Sequence, residues 1–189
     1  MTRRRWMLAV VLSVVASALP LLPTAPTTPA EAFSACLAAS AEDTLTFAGN
    51  QLLATVDDLS STTAFPRSTD ASGDWTTKSA SDWTSGFFPG LLWQMYLHTG
   101  TAAFRTAAEA WSGSLASQAT RTDTHDVGFM VGIPASLAFE ATGDTSYENT
   151  LLTAAASLAS RYDADVGAIR SWDFGGWTFP VIVDNMMNL

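Results

Sequence analysis

Cysteine is almost missing from this 189-residue chain: Cys36 stands alone, so an internal disulfide is excluded. Histidine is nearly as scarce. His98 and His125 are the only two, and neither has partners at metal-ligand spacing. No Gly-rich phosphate loop, serine elbow or Cys–His pair is present, and no metal or other cofactor is expected. Basic residues number nine against 18 acidic ones, and Arg3, Arg4 and Arg5 are three of the nine. Without those three and Glu31, six basic and 17 acidic residues remain, a net charge near −11. Phosphate backbones reward a basic surface, so nucleic acid is excluded as a partner. A long polyanion would need a locally reversed field. Long apolar runs are lacking as well. The stretch Met7 to Leu19 is too short for a comfortable membrane span and is followed by Pro20 and Pro23.

What that stretch does resemble is the core of a secretory signal peptide, since three arginines and Trp6 precede it. Ala30-Glu31-Ala32 offers a cleavage site before Phe33, and Ala16-Ser17-Ala18 an earlier one. Thr2-Arg3-Arg4-Arg5-Trp6-Met7 also resembles a twin-arginine signal. Phe33-Ser34-Ala35-Cys36 has a faint likeness to a lipoprotein box, but Phe is a poor first residue for one. Residues 1–32 are therefore expected to be a signal peptide and a Pro/Thr/Ala tether, and the protein to be secreted.

The remainder carries helical periodicity. Leu45, Ala48, Leu52, Val56 and Leu59 form one stripe between Ala41 and Leu59. The polar segment from Ser60 to Asp82 is long for a structureless loop, which favours a functional one. A helix is predicted from about Ser85, with Pro89 in its first turn, to Thr99-Gly100. Further helices are predicted over 102–119, from Asp126 to Thr142 and over 147–162. A mixed stretch of alternating and aromatic character follows from Asp163 to Val183, and Asp184 would open a sixth helix. Thr99-Gly100-Thr101 is followed by Phe104, and Thr142-Gly143-Asp144 by Tyr147. The two glycines are 43 positions apart and each precedes its aromatic by four. Such a period is one αα-hairpin, the unit of helical solenoids and toroids. Gly100 and Gly143 then share one end of the stack. The loops 60–82, 120–126 and 163–183 share the other, together with Trp83, Asp126 and Asp184.

Taken singly, Asp126 and Asp184 read as N-caps, each contributing about 1 kcal/mol. His125 reads as a cap neighbour, and Trp75, Trp83, Trp93, Trp111, Trp172 and Trp177 as core. The functional alternative puts both carboxyls in one pocket, within a sugar's width of each other. Trp83, Trp172 and Trp177 lie in or beside the loops, where an indole could stack on a sugar ring.

Four runs together carry a resemblance. They are Asp82-Trp83-Thr84-Ser85-Gly86-Phe87-Phe88-Pro89-Gly90-Leu91-Leu92-Trp93, Thr124-His125-Asp126-Val127-Gly128-Phe129, Ala168-Ile169-Arg170-Ser171-Trp172-Asp173 and Val183-Asp184-Asn185-Met186-Met187-Asn188-Leu189. In order and approximate spacing they resemble the unsaturated glucuronyl hydrolases of glycoside hydrolase family 88, over roughly Asp43 to Leu189. The Asp-Asn-Met-Met-Asn-Leu run looks more like that branch than the related unsaturated rhamnogalacturonyl hydrolases. The resemblance implies an all-α (α/α)6 barrel of six hairpins. It also implies removal of a terminal 4,5-unsaturated uronic acid from oligosaccharides left by polysaccharide lyases. Asp126 and Asp184 match the paired catalytic acids, and Trp83 and Trp172 the tryptophans against the sugar. His125 and Asn185 are expected to contact substrate.

The implied reaction hydrates an enol ether, with protonation of C4 and delivery of water to C5. One carboxyl must then hold a proton at working pH, which burial or its neighbour's charge would bring about. Asp184 is assigned as proton donor and water activator, and Asp126 as the charged partner that positions the sugar. Helix N-termini oppose such protonation, so an apolar wall of Trp172 and Met186 is expected to outweigh them. Two rivals from other classes remain. A carbohydrate-binding helical repeat would keep the tryptophans without needing both acids, and an interaction scaffold would need neither. The family continues for several helices beyond the point matched by Leu189, so the sequence reads as truncated. Residues 33–189 alone are expected to be neither a good enzyme nor a stable monomer.

Overall fold

The structure, a computed structural model, describes residues 28–189. The signal-peptide reading and most of the tether therefore lie outside the described residues. The chain divides into two units, Met1–Glu42 and Asp43–Leu189. In the first, the described residues are exposed and helical from Pro29. Helix α1 spans Pro29–Asp58, so it starts well before the predicted Ala41. The physical reason is a capping box with proline in the first turn. Thr28 N donates to Glu31 Oε2 at 2.8 Å, and Glu31 N donates to Thr28 Oγ1 at 3.2 Å. An Ala-rich run follows, and Ala is the best helix former.

In the second unit the helices pair as hairpins. Helix α2 (Phe87–Thr99) turns at Gly100 into α3 (Ala102–Leu115), and α4 (Ile133–Thr142) turns at Gly143 into α5 (Thr145–Ala159). The two turns repeat atom for atom. Gly100 N donates to Tyr96 O and Gly143 N to Phe139 O, each at 2.8 Å. The Thr99 and Thr142 hydroxyls donate back to Met95 O and Ala138 O at 2.7 Å. Both glycines are left-handed, with φ of 68° and 67°, where a Cβ would be strained. Such short links make each pair antiparallel. Both turns thus fall at one end, and the connection 121–126 falls at the other.

Two segments predicted as loops are partly strands. β1 (Phe65–Thr69) and β2 (Trp75–Lys78) form an antiparallel hairpin, bulged between Pro66 and Ser68. The Asp70 carboxylate closes its turn by accepting from Ser72 N and Asp74 N. Phe65, buried to 1%, roots it in the core. β3 (Tyr162–Asp163) pairs with β4 (Ala168–Ile169). The alternation in residues 163–183 is the signal a strand leaves, whereas the polar segment 60–82 carries none.

The larger core joins α1, α2 and α3. Leu45, Leu52, Leu53 and Val56 pack against buried Leu92, Trp93, Phe104 and Trp111. Trp93 is wholly buried and donates Nε1–H to Ser112 Oγ at 3.0 Å, while Trp111 donates to Ala64 O at 3.2 Å. Trp93 and Trp111 are core residues. The smaller cluster gathers Ala119, Val127, Met130, Val131, Ala135 and Ala154.

Two approaches to neighbouring backbone leave no room for a side chain. A Cβ on Gly86 would overlap Phe129 O, and one on Gly128 would overlap the Asn188 backbone. Gly113, by contrast, faces open space. Gly128→Ala should therefore lower the thermal midpoint, by roughly 1–3 kcal/mol of stability. Gly113→Ala should raise it by about 0.5–1 kcal/mol, because a helical Gly loses the most entropy on folding. Equal shifts of one sign in thermal unfolding followed by circular dichroism would contradict the packing described here.

Candidate active site

Thr124 opens the site with a backbone decision. It pairs with Trp172 in a single antiparallel bridge, which lays the segment 122–126 beside 170–173. The wholly buried Ser171 is the joint. Its carbonyl accepts from His125 N at 2.8 Å and from His125 Nδ1 at 2.7 Å. Its N–H donates to Pro180 O at 2.8 Å. Its hydroxyl donates to Asn185 Oδ1 at 2.8 Å and accepts from Ile182 N at 3.1 Å. One serine thus ties together the loop of Asp126, the loop of Trp172 and the segment of Asp184.

The acids do not cap helices as a single-residue reading would have it. After Asp126 the chain makes a π-helical turn, Gly128–Gly132, before α4. The Asp126 carboxylate accepts from the Thr124 hydroxyl at 2.8 Å, and Thr124 Oγ1 accepts in turn from Asp126 N at 3.2 Å. Asp184 lies in the first turn of a short 3₁₀ helix, Val183–Asn188, and not at the cap position from which the sequence has it open a helix. Asn188 fixes it against the π-turn. Phe129 N donates to Asn188 Oδ1 at 2.8 Å, and Asn188 Nδ2 donates to Asp184 O at 3.1 Å.

Between the acids stands His125, 4% exposed. Its Nε2 is 3.1 Å from Asp184 Oδ2 and 3.3 Å from Asp126 Oδ1. One nitrogen of the ring and one oxygen of each acid all lie within 4.8 Å of one another. The contact with Asp184 is a hydrogen bond and that with Asp126 a close approach at ion-pair distance, so the three groups face one small volume. Asp184 Oδ1 is buried and has no hydrogen-bond partner among the described residues.

The other predicted site residues fall differently. Trp172 sits beside the triad, its ring 6.0 Å from that of His125 and stacked on Phe174 at 5.5 Å. Trp83 belongs to an aromatic group with Phe87 and Phe129, at 6.1 and 6.0 Å, under the Arg67 guanidinium. No contact given by the structure joins it to either acid. His125 is too buried for a sugar ligand and instead braces the acids. Asn185 is a correction too: its amide is buried and spent on Ser171 and on Ile169 O at 2.6 Å. The expected apolar wall is not built from Met186, which is 72% exposed.

Sequence reasoning missed the arginines that frame the site. Arg161, 4% exposed in its side chain, donates to Arg170 O at 2.8 Å, to Thr122 O and to Asp173 Oδ1 at 3.0 Å. Arg170 reaches the same carboxylate at 3.1 Å. Arg121 grips Asp123 with two parallel bonds of 2.8 Å and reaches Ser81 O at 3.0 Å. The hydrogen bond from Arg161 holds the Asp173 carboxyl below its ordinary range, and that from Arg121 does the same for Asp123. Arg170 and Asp173 flank Ser171 and Trp172 in one of the four sequence runs, whereas Arg121 and Arg161 lie outside all of them.

A depressed carboxyl stabilises the fold above its unfolded pKa, and that stabilisation is lost as pH falls through the ordinary Asp range and below. Asp173→Asn should therefore be less stable than wild type at neutral pH and show a flatter loss of urea midpoint on acidification below about pH 4. An unchanged slope would contradict the Arg161–Asp173 clamp.

No protein-family model matches the chain. An unsaturated glucuronyl hydrolase of Formosa agariphila is 40% identical over 129 residues, 66% of this chain and 32% of that one. One from Bacillus sp. (strain GL1) is 32% identical over 134 residues, 66% of this chain and 35% of that one. Among solved structures, an unsaturated glucuronyl hydrolase specific for heparin superposes with a TM-score of 0.67 at 40% identity, covering 72% of this chain and 37% of that one. The chain spans about a third of the length of the curated relatives it matches. Those structures are (α/α)6 barrels, and the hairpins α2–α3 and α4–α5 are part of that architecture. Sequence and fold together place this chain with the unsaturated glucuronyl hydrolases.

Proposed function

We propose that the protein removes a terminal 4,5-unsaturated uronic acid from the non-reducing end of lyase-generated oligosaccharides. The observation that carries this reading is the pair of carboxyls, Asp126 and Asp184, brought to one histidine beside the half-buried Trp172. Two acids that share a small volume suit hydration of an enol ether, since one can give a proton while the other stays charged. Asp184 Oδ2 delivers the proton to C4. Water adds at C5 and returns a proton to the freed carboxylate. The C5 hemiketal opens to a ketone, and the hemiacetal left at C1 releases the shortened saccharide. Asp126, hydrogen-bonded by Thr124, keeps its charge and orients the sugar hydroxyls.

The arginines Arg3–Arg5 and the apolar run after them support export of the protein, through the general secretory or the twin-arginine route. Among the described residues no helix is long and apolar enough to cross a membrane.

The test uses the full-length protein with an unsaturated glucuronyl disaccharide, followed by the absorbance of the double bond. Wild type should bleach that absorbance and yield a 4-deoxy-5-keto sugar. Asp184→Asn should lower kcat by about 10²–10⁴-fold, the usual range for loss of a general acid. Asp126→Asn should lower kcat/KM through both constants, because it positions as well as polarises. Asp184→Asn with activity near wild type would sink the assigned roles.

A further inference from the structure

We infer that His125 is a positioning residue that fixes where the acid pair keeps its proton, on the line between its own Nε2 and Asp184 Oδ2. This rests on the reading of Asp126 and Asp184 as the acid pair. Ser171 O lies 2.7 Å from His125 Nδ1, and a carbonyl can only accept. Nδ1 therefore carries a hydrogen, which is the less common tautomer of a free imidazole. In the neutral ring that leaves Nε2 bare, as an acceptor. Two carboxyl oxygens face it, at 3.1 and 3.3 Å. Three acceptors with no hydrogen between them would repel, so one proton must be shared there.

The surroundings decide which oxygen shares it. Asp126 already accepts from the Thr124 hydroxyl at 2.8 Å, which suits a carboxylate. Asp184 Oδ1 is buried without a donor among the described residues, which suits the carbonyl oxygen of a neutral acid far better than a carboxylate. The shorter of the two Nε2 distances also runs to Asp184. The proton thus lies on Asp184 Oδ2, directed at Nε2. When C4 takes it, the attacking water replaces it, and His125 ends each cycle as it began. Among the described residues, Asp126 and Asp184 are the titratable groups in hydrogen-bond reach of the ring. The 170–173 segment presents it with a carbonyl and an indole.

The experiment is a long-range ¹H–¹⁵N correlation spectrum of the full-length protein labelled at histidine, with His125→Asn to assign its resonances. The inference expects the His125 proton on Nδ1 in the resting enzyme. A ring protonated on Nε2 overturns it, whether neutral or an imidazolium that carries hydrogen on both nitrogens. Kinetics give the second arm. Asn at 125 can still donate to Ser171 O but has nothing at the Nε2 position. His125→Asn should therefore lower kcat on the order of 100-fold while KM stays within about threefold. A kcat within threefold of wild type, or a loss confined to KM, overturns the inference. Should the variant fail to fold, the wild-type spectrum still decides. Wild type that carries the Nδ1 proton yet leaves the unsaturated disaccharide intact would count against the proposed reaction and not against the tautomer.

Discussion

The carbonyl of Ser171 receives two hydrogen bonds from one residue, the amide and the ring of His125, and the site depends on that joint. His125 and Asp184 stand 59 positions apart, with no shared helix to align the two acids. Ser171 settles the alignment by using every polar group it has. Its carbonyl holds His125, its N–H holds Pro180, and its hydroxyl holds Ile182 and Asn185. Complete burial makes each bond worth keeping, because a buried polar atom left alone costs about 1–3 kcal/mol. Gly128 then lets the π-turn close on Asn188 with no side chain between them. Two backbone contacts of this kind bring one imidazole between the two acids.

A second economy concerns charge. The chain is acidic and has few cations, yet most of those beyond Arg5 stand in the long connections at the site's end. Arg67 bridges to Asp82, Arg121 to Asp123, and Arg161 and Arg170 to Asp173. Each carboxylate partner sits within a loop that would otherwise be held by little apolar burial. Planar guanidinium groups suit the work, since one Arg161 reaches two carbonyls and a carboxylate at once. The cations thus serve as struts for the loops that carry Trp172 and Asp126.

Local patterns made the hairpins readable. The Thr-Gly turns spell out their own capping chemistry, and the aromatic four residues on marks where the next helix buries its face, as Phe104 does. The α1 stripe of Leu45, Leu52 and Val56 was legible for the same reason. The start of α1 was not, although Thr28, Pro29 and Glu31 spell a capping box, because an Ala-rich segment with prolines on its near side also suits a tether. The site was legible as a pair of acids and a neighbouring tryptophan. Its internal roles were not. Nothing local says that the Asn185 amide turns inward to Ser171, or that Trp83 joins Phe87 and Phe129. Those facts depend on partners far along the chain, as does the Arg161–Asp173 pair. An N-cap and a catalytic acid look alike in sequence, since both are an Asp before an apolar helix. Only the direction of the carboxylate, toward Thr124 and His125, separates them.

The central claim is that this triad hydrates a double bond and leaves the anomeric linkage to fall apart afterwards. Turnover of an unsaturated glucuronyl disaccharide by the full-length protein in D₂O enriched in ¹⁸O water tests it directly. The account predicts one deuterium at C4 and the heavy oxygen at C5 of the released sugar, seen by NMR and mass spectrometry. A released uronic acid that keeps its double bond and carries the heavy oxygen at C1 would be ordinary glycoside hydrolysis, and would contradict the account.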